Sequence, residues 1–396
     1  MEHLMQIPER IQDIAPAFMD ELGARVSALR AEGADIINLG QGVPGFPPVA
    51  AAVEAARQAL EEPSVHVYSG DAGLLLLREA LSSWLAKHNN VPTDPETEIL
   101  ITAGANQGFL LALLTLLEPG DKVLLPSPFY FNHEMSLRIV GAVPVEVPLR
   151  EEAGFQLTLS DLEPYLEGRP RALVLVSPNN PTGAVYHPEE LEHIVRVLAA
   201  AGIAVIFDET YQAFAYEGAR HLSPASIPGA RSQVITLGSF SKTFSLAGWR
   251  VGYLIAEAEF VEQAIKVQDA MLVCAPVISQ RAALGALHTS VEELTARSNV
   301  LAERRQVLAQ RLAEIPHLDW HPTDGAYYAF MRAEGCADSV ALSRDLLERA
   351  HLAVVPGSYF GQSGEGYLRL SYGSVESSEL EEACRRLAED YGPRRP

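Results

Sequence analysis

One lysine in this sequence keeps company that suits reaction better than solvation. Lys242 lies in the run Ser239-Phe240-Ser241-Lys242-Thr243-Phe244-Ser245-Leu246-Ala247-Gly248-Trp249-Arg250, directly after the strand-like segment Gln233–Gly238. Hydroxyls at Ser239 and Ser241 and the guanidinium fork of Arg250 suit a phosphate, and a desolvated lysine amine suits a Schiff base with a carbonyl. A lone lysine is far more often a solvated surface group. The neighbourhood singles this one out.

Three further segments end strand-like runs in the same way. Asp208-Glu209-Thr210-Tyr211 follows Ala204-Val205-Ile206-Phe207. A carboxylate at the end of a buried strand needs a cationic partner. A protonated pyridine nitrogen would serve, and so would a salt bridge or a helix N-cap. Ser177-Pro178-Asn179-Asn180-Pro181-Thr182-Gly183 reads as an irregular loop that offers amide donors, or as a plain structural turn. Thr102-Ala103-Gly104-Ala105-Asn106-Gln107 places small residues before a helix, which makes either an anion site at free helix N–H groups or a tight turn. In an open parallel sheet ligands bind outside the carboxyl ends of the strands, where all four segments fall.

Gly40-Gln41-Gly42-Val43-Pro44-Gly45 matches the spacing of a dinucleotide fingerprint and fails its structural requirement. The third glycine of that motif already belongs to the helix that receives the pyrophosphate. Here Pro44, Pro47 and Pro48 interrupt the backbone, and proline inside a helix costs about 3 kcal/mol or more. A loop is expected instead.

The elements that must position these groups alternate. Strand-like runs at Glu98–Thr102, Lys122–Pro126, Ala172–Ser177, Ala204–Phe207, Gln233–Gly238 and Gly252–Ile255 are separated by helical patterns such as Gln107–Leu117 and Pro188–Ala201. That alternation predicts an α/β domain around a mostly parallel sheet. Before it lie a helix-like segment, Pro16–Glu32, and a short strand, Asp35–Leu39; after it come a long charged helix, Val291–Ile315, and strands near Ala326–Met331, Ala353–Val355 and Tyr367–Leu370. The division expected is 1–45 as an arm that joins the smaller domain, 46–285 as the large domain, and 286–396 as a smaller α+β domain.

Composition narrows the class. With 396 residues, 48% apolar and 20% charged, the chain can bury a large core. A net charge of −21 argues against a nucleic-acid partner, which requires a basic face. Cys274, Cys336 and Cys384 make no disulfide framework, and no metal-ligand spacing appears among cysteines and histidines. No run reaches the roughly 18 apolar residues of a membrane span, and Met1–Arg10 carries no apolar signal core, so a cytoplasmic enzyme is expected.

Taken in order, SPNNPTG, DETY and SFSKTFSLAGWRVGY closely resemble class I and II aminotransferases of the pyridoxal-phosphate fold type I, from LGQGVPGFPP to YLRLSYG. The resemblance implies pyridoxal 5'-phosphate as cofactor and transfer of an amino group between an amino acid and a 2-keto acid. It implies that Lys242 is the Schiff-base lysine, that Asp208 pairs with the pyridine N–H, and that Tyr211 and Asn180 bond the ring hydroxyl. Ser239, Ser241, Arg250 and the turn Gly104-Ala105-Asn106 would hold the phosphate, and Tyr130 would stack on the ring. Arg369 would grip the substrate α-carboxylate, and Gly42 would meet the substrate through its backbone. Tyr68 would reach a phosphate across a homodimer interface.

Two departures bear on specificity. The phosphate turn GANQ has no serine or threonine, and Gly252–Gln280 contains no second arginine for a dicarboxylate, Lys266 being its only cation. The turn leaves backbone N–H groups and Asn106 to hold the phosphate. The missing arginine argues against a strict aspartate enzyme, and the LGQGVPGFPP wording, which is nearer the kynurenine, glutamine and methionine aminotransferase branch, implies a neutral side chain, aromatic or sulfur-containing. The motifs also leave open elimination chemistry of the same fold, as in carbon–sulfur lyases. A regulator built on this domain would need a basic DNA-binding part, against which the charge argues.

Overall fold

The computed structural model describes residues 5–14, 18–216 and 218–391. Its short strand β1 (Ile37–Asn38) precedes a seven-stranded sheet made of β2 (Ile99–Thr102), β3 (Lys122–Ser127), β4 (Val143–Pro148), β5 (Ala172–Val176), β6 (Ala204–Asp208), β7 (Val234–Ser239) and β8 (Gly252–Ile255). The order across the sheet is β2-β8-β7-β6-β5-β3-β4. All pairings are parallel except those of β8, which runs antiparallel to both β2 and β7.

The central strands ALVLV and AVIFD are buried at every position. Continuous apolar runs are what a sheet covered on both faces requires. Alternate residues point to opposite layers: Leu100, Val174, Ile206, Leu237 and Leu254 pack with Phe109 and Leu113 of helix Ala105–Leu116. Ile101, Leu173, Val205 and Phe207 pack with Leu191, Ile194 and Leu198 of helix Pro188–Ala200. This is the α/β, mostly parallel arrangement the alternation predicts.

A second sheet is antiparallel, in the order β12 (Val355–Pro356), β13 (Tyr367–Ser371), β10 (Tyr328–Ala333), β9 (Leu318–Asp319), and β1 pairs in parallel with β11 (Leu352–Ala353). Helices Val291–Leu312 and Ser377–Asp390 cover it. Leu380, Ala383, Cys384 and Leu387 follow the i, i+3, i+4, i+7 spacing of one buried helical face. Ser290 caps the longer helix by accepting a hydrogen bond from the Glu293 N–H.

Several boundaries differ from the sequence reading. The strand expected at Ala353–Val355 is two strands, β11 and β12, that belong to different sheets. The strand expected from Ala326 starts at Tyr328. Strand β4 has no apolar signature: prolines flank VEV, a composition tolerated at the sheet edge it occupies. Of the helix expected from Pro16, the part from Phe18 to Ala31 is helical, while Pro16 and Ala17 lie outside the described residues, as do Met1–Leu4. Gly40–Gly45 is a loop, and the helix that follows it begins only at Ala50.

Candidate active site

Strands β2, β5, β6 and β7 end at one edge of the large sheet, and β8 begins there because it runs the other way. Residues just beyond that edge line a single cavity, among them Asn106, Tyr130, Asn180, Asp208, Lys242 and Arg250.

Lys242 donates from Nζ to the Gly42 carbonyl at 2.6 Å. Burial, and then the nearby cations Arg369 and Arg250, bring its amine down to about 8, although Asp208 opposes the shift. An amine so placed changes its proton near neutral pH.

Asp208 ends β6. Burial alone would push its carboxyl up, but hydrogen bonds from His133 and Thr210 outweigh burial and hold it below the usual carboxylate range. The Thr210 N–H donates to Oδ1 at 2.9 Å, and His133 Nε2 stands 3.4 Å from Oδ2. The site therefore contains a fixed negative charge.

Tyr211 places its hydroxyl 2.6 Å from that of Tyr328. Burial drives the Tyr211 phenol well above its ordinary value, so it stays protonated. Tyr130 is also raised by burial, with Asn106 opposing, and its hydroxyl accepts a hydrogen bond from Asn132 at 2.8 Å.

The anion cradle is built from two directions. Ser239 Oγ bonds Ser241 Oγ at 2.8 Å and accepts from the Ser241 N–H at 3.1 Å. Arg250, itself left-handed at φ 51°, lays its guanidinium against Gly104, whose φ is +83°. A β-carbon at Gly104 would run into that guanidinium, so only glycine allows the approach. The helix Ala105–Leu116 begins at this point, with the free N–H groups of its first turn beside Arg250.

Arg369 arrives from β13 and is only 3% exposed. Its Nη1 donates to Asn180 Oδ1 at 3.0 Å and its Nη2 to the Gly40 carbonyl at 2.5 Å. The rings of Tyr328 and Phe360 hold the guanidinium at 4.7 and 5.2 Å. Its buried Nε lacks a partner. A buried guanidinium N–H without an acceptor fits a carboxylate ligand.

Of the residues singled out from sequence, Gly104, Ala105, Asn106, Tyr130, Asn180, Asp208, Tyr211, Ser239, Ser241, Lys242 and Arg250 converge here, with Gly42 and Arg369 adjoining. Tyr68 does not join them: it lies beyond the short 3₁₀ turn Pro63–His66 and is 80% exposed. His133, Tyr328 and Phe360 were not legible. A histidine on a helix, a tyrosine in a strand and a phenylalanine in a turn carry no spacing signal. Elsewhere, Glu151, Asp319 and His321 gather with metal-like spacing, but Arg332 already pairs with both carboxylates.

The donor set fits pyridoxal phosphate: a hydroxyl and guanidinium cradle at a helix start, a fixed carboxylate, a phenol, and a partly desolvated amine between them. Residues 34–387 match the family described as aminotransferase class I and II. A probable aspartate/prephenate aminotransferase of Aquifex aeolicus is 38% identical over 388 residues, covering 96% of this chain and 97% of its own length. Aromatic-amino-acid aminotransferase 2 of Thermococcus litoralis is 37% identical over 389 residues, with 97% of each chain covered. Among solved structures, an aspartate aminotransferase from Thermus thermophilus with maleate superposes with a TM-score of 0.91 at 32% identity, over 98% of this chain and 100% of that one.

Proposed function

The chain belongs to the aminotransferase class I and II family, whose members are pyridoxal 5'-phosphate enzymes, and on that premise we propose that it moves an amino group from a neutral L-amino acid, aromatic or sulfur-containing, to a 2-keto acid. The observation that carries the reading is the meeting of Lys242, Asp208 and Arg369 at one seam. Lys242 bonds Gly42, and Arg369 bonds Asn180 and Gly40. We divide the chain accordingly: 46–285 as the large domain that binds the cofactor, 1–45 as an arm that joins the smaller domain, and 286–396 as that smaller domain.

When bound, the cofactor supplies a sink for the electron pair left at the substrate α-carbon. Asp208 holds a negative charge for the ring nitrogen, and Tyr211 and Asn180 address the ring hydroxyl. Ser239, Ser241, Arg250 and the Gly104-Ala105-Asn106 turn would hold the phosphate, and Tyr130 would stack on the ring. Arg369 takes the α-carboxylate with its planar fork. Lys242 Nζ, with its lowered proton affinity, would take the proton from the substrate α-carbon as a base and give it to the cofactor carbon as an acid.

A groove of ≈ 890 Å³ beside Tyr130 supports the choice of side chain. Phe18, Phe129, Phe131, Met135 and Tyr359 give it aromatic and apolar walls. Its charged residues are Asp13, Glu134, Glu146 and Glu365 against Arg138 alone, and Arg138 is engaged by Glu134 at 2.5 Å. Such a groove disfavours a second carboxylate. The resemblance to the kynurenine, glutamine and methionine branch agrees with this choice, while the relatives reported above carry aspartate, prephenate and aromatic names.

A homodimer completes the reading. Leu60, Val67, Tyr68, Leu75 and Leu76 are exposed around one stretch of chain, and burying them against a second copy would take Tyr68 toward that copy's phosphate. A cytoplasmic location is in keeping with the absence of any helix, among the described residues, long and apolar enough to cross a membrane.

Borohydride reduction followed by peptide mapping tests the core of the reading, with the label expected on Lys242 and lost in Lys242→Ala. A donor panel with several keto acids tests the substrate class. Turnover restricted to aspartate and glutamate, or ammonia released without any keto acid, would count against it.

A further inference from the structure

Two phenols face each other across the seam between the two sheets. Tyr328, from β10, sets its hydroxyl 2.6 Å from that of Tyr211, just beyond β6. Tyr328 is 1% exposed and is held from several sides. The Arg369 guanidinium lies 4.7 Å from its ring centre, and the Tyr327 ring is 5.1 Å away. Gly42 comes so close that a β-carbon there would strike the Tyr328 hydroxyl.

Only one proton can occupy the bond between two hydroxyls. Burial raises both phenols, Tyr211 well above its ordinary value and Tyr328 to about 12, so neither is a phenolate at neutral pH. If the single Tyr211 O–H is aimed at the cofactor's ring oxygen, Tyr328 must donate to the Tyr211 oxygen. A hydroxyl that accepts one hydrogen bond donates the next more strongly.

We propose that Tyr328 is a positioning residue whose hydroxyl fixes the direction of the Tyr211 O–H and strengthens it, while its ring steadies Arg369. Recognition of the ring oxygen and of the substrate carboxylate thus share one support. The inference rests on the placement of Tyr211 in the proposed function.

The test is an absorbance titration of the holoenzyme. A hydrogen bond donated to the ring oxygen favours the deprotonated chromophore and lowers the midpoint of its pH-dependent visible band. Tyr328→Phe is expected to raise that midpoint by about 0.5–1 pH unit. Tyr211→Phe should raise it at least as far, and adding Tyr328→Phe to Tyr211→Phe should change nothing more. The KM for the amino acid should stay within about twofold in Tyr328→Phe, which keeps the ring, and rise roughly fivefold in Tyr328→Leu, which removes it.

A shift in Tyr211→Phe without one in Tyr328→Phe overturns the role of Tyr328 and leaves that of Tyr211 standing. No shift in either removes both. A Tyr328→Phe shift that survives without the Tyr211 hydroxyl also overturns it. Should Tyr328→Phe hold no cofactor, 3-fluorotyrosine at position 328 keeps the shape and is a stronger donor; it should lower the midpoint, and an unchanged midpoint is again a refutation.

Discussion

Nε2 of His133 stands 3.4 Å from Oδ2 of Asp208, in a pair almost sealed from solvent. The rings of Phe109 and Tyr130 hold the imidazole, at centroid distances of 4.2 and 5.2 Å. Burial presses the Asp208 carboxyl towards neutrality, and His133 and Thr210 reverse that pressure. The charge offered to a ring nitrogen therefore depends on a residue that need not touch the ring.

His133→Ala should weaken cofactor retention by about 10- to 100-fold, the worth of a hydrogen bond to a charged group. Dialysis followed by cofactor quantification reads it. In the cofactor-free wild type the depressed Asp208 gives stability that is complete above the unfolded carboxyl value near 4, and is lost only below it. Without His133 only Thr210 opposes burial and the folded value moves upward, so urea titrations of the cofactor-free His133→Ala variant should show this carboxyl contributing less stability at pH 7 than in wild type.

Lys242 gives the opposite linkage. Its folded value of about 8 lies below that of a free lysine near 10.4. The charged amine therefore costs stability below pH 8, and the cost fades as pH rises from 8 to 10.4. Cofactor-free Lys242→Met should melt higher than wild type at pH 7, by at most about 3 kcal/mol, with the difference closing by pH 10. An equal gain at both pH values would show the amine to be unperturbed.

Arg369→Lys should not be conservative. A lysine cannot keep two planar bonds, to Asn180 and Gly40, while lying between Tyr328 and Phe360. Steady-state kinetics should show a loss of about 10²-fold or more in kcat/KM for every amino donor, because the α-carboxylate is common to all. A loss confined to particular side chains would place the carboxylate elsewhere.

Gly104→Ala should damage the phosphate cradle by geometry alone. The backbone there is left-handed at φ +83°, and the new methyl group would displace the Arg250 guanidinium. A fall in thermal stability of about 1–2 kcal/mol is expected, together with weaker cofactor binding. Gly23→Ala, which meets open space on the exposed face of the helix Phe18–Ala31, is the control and should do neither.

The sequence was most legible where strands end. Lys242, Asp208 and Asn180 drew notice because polar residues follow apolar runs there. Each segment alone also suited a structural use, such as a salt bridge or cap for Asp208 and a plain turn for Asn180, and β5, β6 and β7 bring all three to one edge. Legibility failed for β4, whose edge position tolerates prolines, and for Ala353–Val355, where a continuous apolar run hides a change of sheet. It failed also for His133 and Tyr328. Their importance comes from a partner 75 or more residues away, at Asp208 and Tyr211, a distance no local pattern encodes.

The reversed strand β8 has a consequence for how this chemistry can be rearranged. Because β7 and β8 are antiparallel neighbours, the chain leaves the sheet edge at Ser239 and returns to it at Gly252 without crossing a helical layer. Ser239, Ser241, Lys242 and Arg250 accordingly ride on one short excursion, tethered at both feet. Their mutual spacing is inherited as a block, so a chain redesigned or permuted around this loop keeps its reactive amine and its anion anchors together or loses them together.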